Sequence, residues 1–249
     1  MIKIRIKFRK YGVMKFIGHL DMMRYFQKAM RRADIDICYS EGFSPHQIMS
    51  FAAPLGVGIT SDGEYLDIEV HSTRSTQDSI RALNDVMVEG VEVTDYVKLP
   101  DNAKTAMSIV AAADYGLWVK EGYEPPADAG TFEKAIKEFF FERDEVLVTK
   151  QTKKGEKVMD LKKLVYDFRV TEQEGRPVFS LRLSAGSSDN IKPELVMGAL
   201  FDFMGLCYDG NAVQIHRKDV YAAADGGFVA LGALGTPIDA AEAIKADRA

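Results

Sequence analysis

The first ten residues, MIKIRIKFRK, place Ile2, Ile4, Ile6 and Phe8 at even positions and Lys3, Arg5, Lys7 and Arg9 at odd ones. A period of two is the mark of a β-strand with one apolar face. Gly12 breaks the pattern and the period then changes. Leu20, Met23, Phe26 or Gln27, and Met30 recur every three to four residues, which predicts an amphipathic helix over 18–33.

These two periods order the rest of the chain. Ile35, Ile37 and Tyr39 return to period two. SDGEYLDIEV (61–70) gives a turn and a strand with Leu66, Ile68 and Val70 inward. Residues 76–88 suit a helix and 91–98 a strand. The order is β-α-β-β-α-β, the ferredoxin-like pattern. LPDNAKTAM (99–107) reads as a linker. A second round follows, with a strand near 107–119 and a helix at 131–142. Strands come next near 145–151, 165–172 and 177–185, then a helix at 191–205 and a strand at 212–220. The expected fold is therefore α+β, with two ferredoxin-like halves at 1–100 and 107–220. The second half carries an inserted basic hairpin. Residues 221–249, rich in Ala and Gly, are expected to form an irregular or mobile tail.

Composition removes several classes. The chain has 249 residues, 47% of them apolar, enough for one large domain or two smaller ones. It has no run of 18 apolar residues, so no membrane helix is expected. The alternating N-terminus lacks the continuous apolar stretch of an export signal, so the cytoplasm is the expected compartment. Cys38 and Cys207 form no CxxC motif, which excludes a disulfide scaffold, a four-cysteine zinc site and an iron–sulfur cluster held by this chain alone. His19, His46, His71 and His216 are scattered, so neither a metal centre nor a cofactor is expected.

The net charge of −5 hides a local excess of cations: residues 1–34 hold ten Lys or Arg against two acids, Asp21 and Asp34. Such a patch attracts an anionic partner whatever the overall charge. Along the first strand the cations stand about 6.6 Å apart, close to the spacing of backbone phosphates. The third strand offers Glu64, Asp67 and Glu69, however, and cross-strand pairs with them are expected to neutralise the stripe. In the helix, Arg24, Lys28 and Arg31 follow at i, i+4 and i+7 with Arg32 alongside, and no acid follows Asp21. That face is the better candidate for binding phosphate. VTKQTKKGEKVMDLKKL (148–164) places Lys150, Lys153, Lys154 and Lys157 around Gly155 as a basic hairpin suited to a nucleic-acid backbone. In LSAGSSDN (183–190), Asp189 and Asn190 are expected to cap the following helix.

Two short motifs carry possible chemistry. His19 and Asp21 stand at the start of the basic helix, where they are candidates for acid–base work. Asp21 is also accounted for by the helix dipole. YSEGFSPH (39–46) brings Tyr39, Ser40, Gly42, Phe43, Ser44, Pro45 and His46 into a turn stiffened by Gly42 and Pro45.

Residues 8–70 resemble the radical-SAM-linked protein family of bacteria, through HLD (19–21), RRA (31–33), YSEGFSPH, PLGVG (54–58) and GEYLDIEV (63–70). TKKGEKVMDLKKL (152–164) resembles the family's second half. That family is a domain of unknown function, found alone or fused behind radical SAM enzymes with a cobalamin-binding domain. Gly18 stands where the family usually has a serine before HLD. Ser44-Pro45-His46-Gln47 stands for its Asn-Pro-His-Pro. The chain has no CxxxCxxC, so the resemblance implies a helper of a radical SAM enzyme rather than such an enzyme itself.

Three functions are open at this point. The first is an RNA-binding module, for tRNA or rRNA, that presents its substrate to a radical SAM partner. The second is an RNA-processing or RNA-modifying enzyme using His19, His46 and Asp21. The third is a protein–protein adaptor without nucleic acid.

Overall fold

The computed structural model describes residues 1–152, 155–186 and 189–243. The chain divides into two compact units, Met1–Val110 with Asp219–Ala249, and Ala111–Lys218. Both mix strands and helices, as the α+β reading requires.

The first unit runs β1 (Ile2–Lys10), a 3-10 turn (Gly12–Phe16), α1 (His19–Arg32), β2 (Met49–Phe51), β3 (Thr60–Val70), α2 (Thr76–Asn84), β4 (Val91–Lys98) and the single turn α3 (Ala106–Ile109). The alternating first strand is central. It pairs antiparallel with β3, where Arg5 faces Asp67, and with β4, where Ile6 faces Tyr96. Short β2 pairs with β3 as well. Ile4, Ile6 and Phe8 meet Met22, Phe26 and Met30 of α1 in one apolar core, with Leu66, Ile68, Val91 and Val93 around them. The Phe8 and Phe26 rings lie 4.7 Å apart, and Phe51 stands edge-on to both. Each such side chain, fully buried, contributes about 1.5–3 kcal/mol.

The strand expected at Ile35–Tyr39 is reduced to two isolated bridges, Ile37 to Val70 and Tyr39 to Gln47. The sheet pairing passes instead to β2, ten residues later. Glycine and proline between them fold the chain into a closed turn and use its backbone groups locally.

The C-terminal segment also departs from expectation. Its described part is not an irregular tail. Residues 219–224 form the second half of β10 (Val213–Ala224), which neighbours β3 and pairs with β11 (Gly227–Ala230), and a 3-10 turn follows at Leu231–Leu234. Lys98 and Thr236 exchange two backbone hydrogen bonds of 2.9 Å, and Thr76 N–H donates to the Ile238 carbonyl. One glycine serves close approach here. A Cβ on Gly235 would stand 2.6 Å from Val97 Cγ2 and 2.9 Å from the Lys98 carbonyl oxygen.

The second unit contains β5 (Val110–Val119), α4 (Ala129–Ile136) continued by a π turn (Lys137–Phe141), the hairpin β6 (Leu147–Thr152) and β7 (Gly155–Asp160), β8 (Val165–Gln173), β9 (Arg176–Ser184), α5 (Pro193–Phe203) and the first half of β10. β9 pairs antiparallel with β5 and β8, and β10 neighbours β5. Phe132 packs on Phe179 and Phe201 in its core. α5 begins at Pro193, with Lys192 as its cap and no side-chain capping bond. Asp189 and Asn190 therefore do not cap it.

Candidate functional site

The cations of β1 are engaged. Arg5 is 1% exposed and grips Asp67 through two bonds of 2.7 and 2.9 Å, while its third arm donates to the Leu231 carbonyl. Lys7 pairs with Asp219 at 2.8 Å, and Arg9 with Asp62 at 2.7 Å and Glu92 at 3.2 Å. Lys3 donates to the carbonyls of Asp101 and Ala103. Asp67 was among the acids expected on the third strand. Asp219, Glu92 and the carbonyls come from parts of the chain far from it in sequence. The stripe is thus engaged by acceptors of the fold, with only Arg5 fully buried, and offers no free row of cations for phosphates.

The outer face of α1 is different. Arg24, Lys28, Arg31 and Arg32 are all exposed. Arg24 meets Asp21 at 3.2 Å, three residues earlier, so the helix pairs with itself at its first turn. Both partners are well exposed, and such a pair is worth little. Arg32 donates to the Val86 carbonyl. Lys28 and Arg31 have no hydrogen-bond or ion-pair partner among the described residues. Gly18 caps the helix without a side-chain bond, as a residue lacking a hydroxyl must.

The turn at 39–46 closes on itself beside this helix. Ser40 N–H donates to the His46 carbonyl at 2.8 Å, His46 N–H donates to Ser40 Oγ at 3.1 Å, and Ser40 Oγ lies 2.8 Å from His46 Nδ1. Gly42 takes φ of +107°, which favours glycine. Ser44 and Pro45 complete the bend between Phe43 and His46. Buried Gln47 donates to the Gln27 carbonyl on α1 and to Tyr39 Oη, clamping the loop to the helix. At the tip Phe43 is fully exposed, and Tyr39 is half exposed.

His46 therefore closes the turn, and among the described residues nothing joins it to His19 or Asp21. His19 stands two helical turns before Gln27. Its ring lies edge-on to Phe51 at 5.2 Å. It lines a cavity of about 20 Å³ with Lys10, Glu64, Pro54 and Leu55, room for about one water. Lys10 and Glu64 are 2% and 4% exposed, and Lys10 Nζ donates to the Ile17 carbonyl at 2.6 Å. This buried pair was missed in the sequence, where Lys10 looked like the end of a basic strand. The signal for it was there: Lys10 sits at an even position, on the apolar side of the alternation.

In the second unit the hairpin forms as expected, with Lys150 facing Lys157. Lys150 donates to the Asn190 carbonyl at 2.9 Å, and Lys157 pairs with Asp189 at 3.2 Å. Lys153 and Lys154 lie outside the described residues. Among the described residues no group of three or more His, Cys, Asp or Glu could hold a metal ion, and no helix is long and apolar enough to cross a membrane.

Residues 3–193 match a family described as "Uncharacterized protein conserved in bacteria (DUF2344)". The chain belongs to that family. No curated protein matches it. A chain in the "Crystal Structure of a Cbf5-Nop10-Gar1 Complex" aligns with 87% of this chain and 48% of its own length, at 13% identity and a TM-score of 0.46. This protein thus spans about half of that chain. The "Crystal Structure of an Unknown Protein from Galdieria sulphuraria" aligns over 90% of this chain and 99% of its own, at 11% identity and a TM-score of 0.23. Neither likeness is near enough to carry an argument.

Proposed function

We propose that this family member is an accessory module that binds RNA on the outer face of α1 and the adjoining 39–46 turn. The observation that carries this reading is the pairing of two unneutralised cations, Lys28 and Arg31, with exposed aromatic rings, Phe43 and Tyr39, on a turn clamped to the same helix. Cations follow a phosphate backbone, and exposed rings stack unpaired bases. Single-stranded or looped RNA, such as a tRNA or rRNA loop, meets both demands. The first unit suffices for this surface. On the same reading each unit is a ferredoxin-like half, supported by the β-α-β-β-α-β order. The partner that receives the RNA is a radical SAM protein of the cytoplasm, as the resemblance implies.

The enzyme reading needs His19, Asp21 and His46 in one place. His46 is held by Ser40 within its turn, and among the described residues nothing joins it to His19 or Asp21, so the geometry does not favour it.

The test is binding of total tRNA and of a short single-stranded RNA, followed by fluorescence anisotropy from low to moderate salt. The logarithm of the affinity should fall linearly with the logarithm of salt, by about 0.7 per phosphate contact on a single strand. Absence of binding, or affinity indifferent to salt, ends the RNA reading. Capture of a radical SAM protein from RNase-treated lysate without any RNA affinity would favour the adaptor.

A further inference from the structure

The cationic face of α1 ends at a cavity of about 1150 Å³ within the first unit. Arg31 stands at its mouth, with Tyr39 nearby. The 34–37 segment, residues 72–75 and the start of α2 form its walls, and Ala240 and Ala243 line it too.

Its polar groups are unevenly satisfied. Ser79 is 1% exposed and lines the cavity, and its Oγ has no hydrogen-bond partner of ordinary geometry. The Tyr96 hydroxyl interacts with it, and a serine hydroxyl that meets one partner still has capacity for another. Close by, the hydroxyls of Tyr96 and Thr73 lie 3.1 Å apart. Burial pushes the Tyr96 phenol upward, against the opposing pull of Thr73, Ser79 and Arg74, which keeps it neutral and able to donate.

The charges are sorted as well. Arg31 has no partner among the described residues. Arg74 is held by the Ala33 carbonyl and by Asp34. Asp36 accepts from Ser72 at 2.7 Å and Asp78 from Ser75 at 2.8 Å, so both carboxylates are fixed in place and keep acceptor capacity. Asp34, Asp36 and Asp78 against Arg31 and Arg74 give the cavity one net negative charge. That disfavours a polyphosphate and tolerates a single diester.

We infer that this cavity takes one ribonucleotide of the bound RNA: Arg31 meets its phosphate, Tyr39 stacks its base, and Ser79 with Asp36 or Asp78 receives the ribose hydroxyls. The inference rests on the RNA reading and sharpens it, because it assigns the 2′-hydroxyl a partner and so makes the protein prefer RNA to DNA. A carboxylate is a strong acceptor for a sugar hydroxyl, and a site built to bond a hydroxyl rejects the analogue without one.

The test titrates the full chain with AMP, GMP, CMP and UMP and with their 2′-deoxy forms by calorimetry and by NMR. At least one ribonucleotide should bind, and its 2′-deoxy form should bind about tenfold more weakly, the loss expected when a charge-assisted hydrogen bond goes. Ser79→Ala and Arg31→Ala should weaken that binding about fivefold or more, and Arg9→Ala, on the paired strand and outside the cavity, should leave it unchanged. Amide spectra check that each variant is folded. If RNA binds but no mononucleotide does, or if ribose and deoxyribose forms bind alike, the cavity inference is overturned and the α1 surface stands. If neither RNA nor mononucleotide binds, both readings fall.

Discussion

β1 carries five cations in nine residues and α1 four in fourteen, yet the fold treats the two sets in opposite ways. Along β1 every odd-numbered cation meets an oxygen acceptor brought from elsewhere: Asp67 and Asp62 from β3, Glu92 from β4, Asp219 from β10, and the carbonyls of 101, 103 and 231. Along α1 the acids stop at Asp21, and Lys28 and Arg31 face solvent without a partner among the described residues. Local charge becomes a binding surface only where tertiary neighbours leave it alone. A strand at the centre of a sheet has neighbours on both edges, whereas the outer face of a helix has none.

The largest effect should come from breaking the strand's pairing. Asp67→Ala strands the buried Arg5 guanidinium and removes the acceptor for Ala106 N–H. A cost of about 3–5 kcal/mol is expected in urea unfolding. A cost below about 1 kcal/mol would mean that Arg5 reaches water and that the strand face is open after all. Next, Gly235→Ala forces a Cβ against Val97 and the Lys98 carbonyl, and should cost about 1–3 kcal/mol. A neutral result would show that the C-terminal segment is not packed on β4.

A smaller effect is set by pH. Tyr65 lies on the strand's covered side, and its hydroxyl donates to Asp219 at 2.6 Å. Burial first, and then Asp219, push its pKa far above the ordinary value. A raised pKa contributes stability that is whole below the unfolded value, about 10, and is lost as pH rises beyond it. Unfolding measured above pH 10 should therefore show stability falling by up to about 1.4 kcal/mol per pH unit from this residue. Tyr65→Phe should remove that share of the slope. If it leaves the slope intact, Tyr65 ionises freely and this face of the sheet is wet.

Much of this contrast was legible in the sequence. The switch from period two to period 3.6 after Gly12 located β1 and α1, and YSEGFSPH was readable as a turn from Gly42 and Pro45 alone. What escaped was whatever depended on distant partners. Asp219 sits at the end of the strand expected at 212–220, with nothing nearby in sequence to bring it to Lys7, and the segment after it looked like a mobile tail although its Gly235 packs closely against Val97. Lys10 broke the alternation onto the apolar side, and only the fold shows it buried in one cavity with Glu64 and His19. The turn was legible but the job of His46 was not, since its Ser40 partner is as ordinary in sequence as any serine. The cavity floor at Ser79 had no sequence signal, because a helical serine reads as solvated until its surroundings are known.

The most direct test of the account compares the salt dependence of single-stranded RNA binding for the wild type, Lys28→Ala with Arg31→Ala, and Arg9→Ala, with stability followed in parallel. Losing two phosphate contacts on α1 should reduce the slope of log affinity against log salt by about 1.4. Stability should stay within about 0.5 kcal/mol of the wild type, since both side chains are exposed. Arg9→Ala should leave the slope unchanged. A helix double variant that binds with the wild-type slope, or an Arg9 variant that loses as much, would contradict the claim that the helix and not the strand meets the RNA.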